Sequence, residues 1–227
     1  MIENENNDLE YKIITLGDNS VGKTSIINRF INGEFRPDSM PTLGIKHSFK
    51  ILELGHLNNK KKLKLSVIDT GGQEKYKALS ISYFRYADVV LFIFNLNEPF
   101  SFENIQNWID NFNENNNKSK KVIKKYLIGN KSDLEQKVEQ NLFRNLLKYQ
   151  NIFNLNINQI IDEFAKKNIM PYKATSAKTN SQINELFQMI GEELYEEIDE
   201  KSIVSVKSKS VSRILTKTQI KHNKNCC

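Results

Sequence analysis

The stretch that most constrains this chain is Gly17-Asp18-Asn19-Ser20-Val21-Gly22-Lys23-Thr24, which fits the pattern G-x-x-x-x-G-K-[ST]. The residues before it, Tyr11 to Leu16, are largely apolar and β-branched and read as a buried strand. Those after it place Ile26, Ile27, Phe30 and Ile31 at helical spacing. The loop therefore joins a strand to a helix, the context that separates this motif from a glycine-punctuated turn. Gly17 and Gly22 let the backbone curl around a phosphate with its N–H groups pointing inward. Asn19, Ser20 and Val21 complete the curl, and Ser25 opens the helix, whose N-terminus adds a positive dipole end. Lys23 supplies a cation for β- and γ-phosphates, and the Thr24 hydroxyl is suited to ligate magnesium.

The 227 residues allow one large domain or two small ones, and 39% hydrophobic against 26% charged is an ordinary globular balance. No apolar run approaches the length of a membrane span, and no signal-peptide core opens the chain. The only cysteines are Cys226 and Cys227, which excludes a disulfide framework or zinc cluster and points to a cytosolic, reducing setting. Net charge is +6, but seven basic residues and no acid lie in 201–227, leaving 26 basic against 27 acidic in the first 200. A body this near neutral argues against nucleic-acid binding, so no nucleic acid is expected as a partner.

Residues 1–10 open with a polar, Asn/Glu-rich segment and read as a flexible N-terminus. Residues 32–41 read as a surface loop rich in Gly, Pro, Asp and Ser, ended by Thr42. Residues 45–54 and 63–69 look like a hairpin, the second strand running into Asp69-Thr-Gly-Gly-Gln-Glu74. A carboxylate at a strand end followed by paired glycines can hold magnesium while backbone approaches a terminal phosphate. Val89–Phe94 is a continuous apolar run, the mark of a parallel strand covered on both faces. Ser101 reads as the cap of an amphipathic helix carrying Trp108, Ile109 and Phe112, with Asn113–Asn117 as the loop beyond. Val122–Ile128 is a further strand, a short one lies near Tyr172, and 180–199 form a last amphipathic helix. Strands alternating with helices predict an α/β domain with a mainly parallel sheet over 11–199.

Asn130-Lys131-Ser132-Asp133 follows a strand, where open α/β sheets place their ligand sites. Asp133 offers two acceptor oxygens to the adjacent ring N–H and amino donors of guanine. Adenine has an acceptor at that ring nitrogen, and a site left with unpaired polar groups rejects it strongly. The Lys131 stem can lie across the base.

With Gly17–Thr24, Thr42, Asp69–Gln73, Asn130–Asp133 and Ser176–Lys178 in this order, the chain resembles a Ras-superfamily small GTPase, most of all the Rab family. The resemblance covers about Tyr11 to Ile198, and Tyr83-Phe84-Arg85, the Thr42–Ile45 context and the terminal Cys226-Cys227 carry its Rab-like part. It implies a P-loop NTPase small G domain: a six-stranded sheet with helices on both faces. It also implies that Thr24 and Thr42 ligate magnesium and that Asp69 holds it through water. By the same resemblance Phe35 packs on guanine, Gly72 N–H senses the γ-phosphate and Ala177 N–H meets the guanine oxygen. Ser176 and Lys178 belong to the same base motif. Gln73, Lys23 and Thr42 are the implied catalytic residues, Gln73 orienting the attacking water.

Four departures stand out: Asn19 and Ser20 in the phosphate loop, Ile68 before Asp69, Gly71 after Thr70, and His47 where Rabs usually have Phe. The expected activity is magnesium-dependent GTP hydrolysis to GDP, slow without an activating protein because no arginine is obviously supplied in cis. The rival expectation, raised by Asn19, is a nucleotide-locked scaffold. The implied partners are an exchange factor, an activating protein, effectors and a prenyl-binding carrier, acting on a monomer.

Between the base motifs, Leu142, Leu146, Tyr149 and Phe153 predict an extra helix within an insertion at about 139–156. Residues 200–227 read as a flexible basic tether. In Rab-like chains the final Cys226-Cys227 pair receives two prenyl groups, and two lipids give stable anchoring where one does not. The implied location is the cytoplasmic face of an intracellular membrane, cycling with cytosol, in vesicle trafficking.

Overall fold

A computed structural model describes residues 9–37, 42, 44–55, 60–71, 77–116, 121–134 and 157–197. In chain order these form β1 (Leu9–Leu16), α1 (Lys23–Asn32), β2 (Ile45–Leu54), β3 (Lys61–Thr70), α2 (Lys77–Phe84) and β4 (Val89–Asn95). Then follow α3 (Pro99–Glu103), α4 (Ile105–Asn116), β5 (Lys124–Asn130), α5 (Ile157–Lys167) and β6 (Tyr172–Ala174). A last helix, α6, covers residues 183–197.

One six-stranded sheet runs in the order β2-β3-β1-β4-β5-β6. Every neighbouring pair is parallel except the β2–β3 hairpin. β4 lies in the middle and all seven of its residues are buried, which is why its sequence is an unbroken apolar run. β2 is an edge strand, and the exposed Phe49 and Ile51 sit on its open face. The hairpin ends on the pair Ile45–Thr70, and one more bond, from the Gly71 N–H to the Gly44 carbonyl at 2.9 Å, joins the segments beyond it.

The helices cover both faces, as expected. On one face Ile14, Val90, Phe92 and Phe94 pack with Trp108 and Phe112 of α4 and Ile161 and Phe164 of α5. On the other, Ile13, Leu91 and Ile93 pack with Ile26 and Phe30 of α1 and Leu186 and Phe187 of α6. Phe30 and Phe187 stack with ring centroids 3.7 Å apart, locking α1 against α6. Each fully buried side chain of this size contributes roughly 1.5–3 kcal/mol of transfer free energy.

Several expected boundaries move. β1 begins at Leu9, so Leu9 and Glu10 are not lead-in but strand, paired with Leu63 and Lys64. Ser101 is no N-cap: it lies buried inside α3, its hydroxyl donating to the Glu98 carbonyl at 2.7 Å and accepting from the Asn95 N–H at 2.9 Å. The expected single helix is two, joined at Asn104. The Asn-rich stretch read as loop continues α4 to Asn116, with Asn115 bonding back to the Asn111 carbonyl one turn earlier. β5 starts at Lys124, leaving Val122 87% exposed. Helices α2 and α5 are not among the expected elements, although Ile157, Ile160, Ile161 and Phe164 have helical spacing. The segment 1–8, the insertion at 139–156 and the tail from 200 lie outside the described residues.

Candidate functional site

The strand ends deliver their loops to one open cleft of about 450 Å³. Thirteen expected residues line it: Asn19, Ser20, Gly22, Lys23, Thr24, Ser25, Phe35, Thr42, Asn130, Lys131, Asp133, Ala177 and Lys178. Val21 and Ser176 are buried behind its wall, and Asp69 is bonded to Thr24. Gly72 and Gln73 lie outside the described residues, as do Cys226 and Cys227.

The loop between β1 and α1 depends on its two glycines. A Cβ on Gly17 would sit 2.0 Å from the Ile93 carbonyl oxygen of β4, and one on Gly22 would sit 2.2 Å from the Asn130 side-chain nitrogen. Both also have positive φ, 146° and 99°, which L side chains rarely adopt. Asn19 stands exposed on the rim.

Lys23 is 5% exposed, and its ammonium donates to the Gly17 and Asp18 carbonyls at 2.8 and 2.7 Å. Burial is the main influence and pulls its pKa down to about 8, with Asp69 and Asp18 opposing. A buried cation whose hydrogen bonds go to neutral carbonyls is poised for an anion.

Thr24, Thr42 and Asp69 meet at single contacts. The Thr24 hydroxyl donates to Asp69 Oδ2 at 2.7 Å and lies 2.6 Å from the Thr42 hydroxyl. Since Thr24 has one proton, Thr42 donates to Thr24. The other carboxylate oxygen, Asp69 Oδ1, is buried and has no hydrogen-bond partner among the described residues. Burial, as the largest influence, raises the Asp69 pKa. An all-oxygen group with one orphaned carboxylate oxygen fits a hard divalent cation that keeps several of its waters.

The far segments are tied together by Asn130. Its amide nitrogen donates to the Val21 carbonyl at 2.9 Å, and its oxygen accepts from the Ala177 N–H at 3.3 Å. Both ends are thus bonded to protein, so Asn130 joins the two loops to β5. Asp133 Oδ1 accepts the Ser176 hydroxyl at 2.5 Å, while Oδ2 lies 4.0 Å from the Lys178 ammonium. Lys131 holds a left-handed conformation, φ 66°, where the chain leaves β5.

Sequence reasoning missed Arg29. From α1 it donates to the Ala177 carbonyl at 2.8 Å and the Lys178 carbonyl at 3.0 Å, holding that loop against the helix. Arg36, Pro37, Thr70 and Leu134 also line the cleft. Each lies within two positions of a motif residue, which is the signal that could have found them.

The description "Ras family" belongs to the family model that matches residues 12–196 of the chain. Among curated proteins, the chain is 30% identical over 195 residues to Ras-related protein SEC4 of Saccharomyces cerevisiae, covering 86% of this chain and 80% of that protein. It is 32% identical over 187 residues to Ras-related protein Rab-10 of Diplobatis ommata, 82% of each. It is 31% identical over 184 residues to Ras-related protein Rab-13 of Mesocricetus auratus, covering 81% and 79%. With this family match, the six-stranded, mainly parallel sheet and the cleft that Gly22 and Lys23 line, the chain belongs to the Ras family of small GTPases and is Rab-like.

Proposed function

We propose that the cleft binds GTP and GDP with magnesium and that the chain is a membrane-attached switch in vesicle trafficking. The observation that carries this is the sharing of one cleft by the buried Lys23 ammonium and the Asp133 carboxylate. The first suits phosphates, the second suits the paired donors of guanine. Phe35 and the Lys131 stem cover the base, and the loop of Asn19, Ser20, Val21 and Gly22 with Ser25 supplies backbone to the phosphates. Ser176 orients Asp133, and the Ala177 N–H, bonded to Asn130 in the free chain, turns to the base oxygen beside Lys178.

Thr24, Thr42 and Asp69 would hold magnesium, which when bound neutralises phosphate charge. Gln73 orients water, and Gly72 with Thr42 senses the γ-phosphate. Hydrolysis is slow until an activating protein assists. An exchange factor and effectors read the two states. Cys226 and Cys227 carry the lipids, and a prenyl-binding carrier returns the monomeric chain from the cytoplasmic face of its membrane to the cytosol.

Competition binding of GDP and ADP tests the site: GDP should win by orders of magnitude, and Asp133→Ala should erase the difference. Equal affinity for the two in the wild type overturns the reading. Single-turnover hydrolysis tests the switch, since Gln73→Leu should be slower than wild type; equal rates would favour the nucleotide-locked scaffold. Replacing both cysteines by serine should move the chain from membranes to cytosol in cell fractionation with GDP binding unchanged.

A further inference from the structure

Asp18 is the one carboxylate inside the phosphate loop, and a carboxylate there opposes a phosphate. Its neighbours Asn19 and Ser20 line the cleft, but Asp18 does not. Both of its oxygens are taken from the opposite side. Oδ1 accepts the Trp108 indole N–H at 2.8 Å, and Oδ2 accepts the Asn104 side-chain amide at 2.8 Å. Trp108 is buried in the α4 side of the core, 5% exposed. Asn104 is fixed at the joint of α3 and α4, its N–H bonded to the Phe100 carbonyl and its side-chain oxygen accepting from Asn107 at 2.9 Å. The positive N-terminal end of α4 adds to the pull. Meanwhile the Asp18 backbone carbonyl accepts the Lys23 ammonium at 2.7 Å.

We propose that Trp108 and Asn104 are positioning residues of the phosphate loop: they hold the Asp18 carboxylate out of the cleft and so keep Lys23 available to a β-phosphate. This rests on the cleft being a guanine-nucleotide site. Released from α4, Asp18 would turn toward the cleft, repel phosphate and compete for Lys23.

The test compares dissociation constants for GDP, GMP and ADP in the wild type, Trp108→Phe, Asn104→Ala and each combined with Asp18→Ala. Trp108→Phe keeps an aromatic ring in the core but lacks the donor; Asn104→Ala is at an exposed position and carries the test alone if the first variant does not fold. Losing a hydrogen bond to a charged group should weaken GDP about tenfold. GMP, without a β-phosphate, should weaken far less, and the preference for GDP over ADP should stay. Adding Asp18→Ala should restore most GDP affinity, because no carboxylate remains to turn inward. An equal loss for GDP and GMP, an unchanged GDP affinity in both single variants, or a loss that Asp18→Ala does not repair would overturn the proposal. A wild type that binds no GDP overturns the guanine-nucleotide reading itself, and this inference falls with it.

Discussion

Asn130 leaves no room beside Gly22: a Cβ added to the glycine would stand 2.2 Å from the asparagine's side-chain nitrogen. That nitrogen is also the donor to the Val21 carbonyl, so the contact fixes the phosphate loop to the end of β5. Gly22→Ala should therefore break two things at once, by displacing Asn130 and by straining a backbone at φ 99°. We expect GDP affinity to drop at least a hundredfold and stability to fall by about 1–3 kcal/mol. Calorimetric binding and urea unfolding read the two effects; a fully active alanine variant would show that the loop is not held by this contact.

Nucleotide binding should take up a proton above pH 8. In the free chain burial holds the Lys23 pKa at about 8, while a bound phosphate would raise it again. From about pH 8 upward, GDP affinity should decline by as much as about tenfold per pH unit. Calorimetry of GDP binding at pH 8.5, in buffers of different ionisation heat, should reveal the uptake. Without nucleotide the sign is fixed by the depressed value. The contribution of Lys23 to stability is full above its unfolded pKa and lost as pH falls through about 8. Zero proton uptake would contradict the burial argument.

Asp69→Asn separates stability from magnesium dependence. The carboxylate is buried with one oxygen unpartnered and its pKa is raised, so the charge opposes folding of the metal-free chain. A group of this kind contributes stability at low pH that is lost as pH rises through its folded pKa. At pH 7 the amide should leave the metal-free melting temperature unchanged or higher. Magnesium should slow GDP release from the wild type and have little effect on release from the variant. If Asp69→Asn instead lowers the melting temperature sharply and keeps the magnesium effect, the oxygen cluster is structural.

The opposite end of the sheet should tolerate change without loss of binding. Tyr126 of β5 donates its hydroxyl to Glu193 of α6 at 2.6 Å, and Lys124 bridges Glu193 and Glu197 at 3.5 and 2.8 Å. Burial chiefly, with the Glu193 bond next, drives the Tyr126 pKa well above its usual value. Tyr126→Phe should cost about 1–2 kcal/mol in chemical denaturation, since the hydrogen bond ends on a charged group. GDP affinity should remain within a factor of two or three. A larger binding defect would mean that α6 communicates with the cleft.

What the sequence carried, it carried locally. The run Val89 to Phe94 announced a central strand because both its faces are covered, and Gly17 to Thr24 announced its loop because strand, glycines and helix are adjacent in the chain. Roles set by distant partners were not legible. Asn130 reads as a base contact from its motif, but two of the groups it bonds, Val21 and Ala177, lie 109 and 47 positions away. The Arg29 bond to the Ala177 carbonyl spans 148 positions, and Ser101 looks like a cap in the sequence because its bonding partners Asn95 and Glu98 lie upstream of the helix. α5 shows a different limit: its apolar spacing is present in the sequence, but it runs over only eleven residues.

The single bond from Gly71 to Gly44 has a consequence for cooperativity. It lies just past the hairpin pair Ile45–Thr70, with Thr42 two residues before one end and Asp69 two residues before the other. Backbones tied by one rung do not move independently: displacing the chain at Gly44 displaces it at Gly71. A ligand reaching from Thr42 to Asp69 therefore meets one equilibrium instead of two, and its response to concentration should follow a single transition.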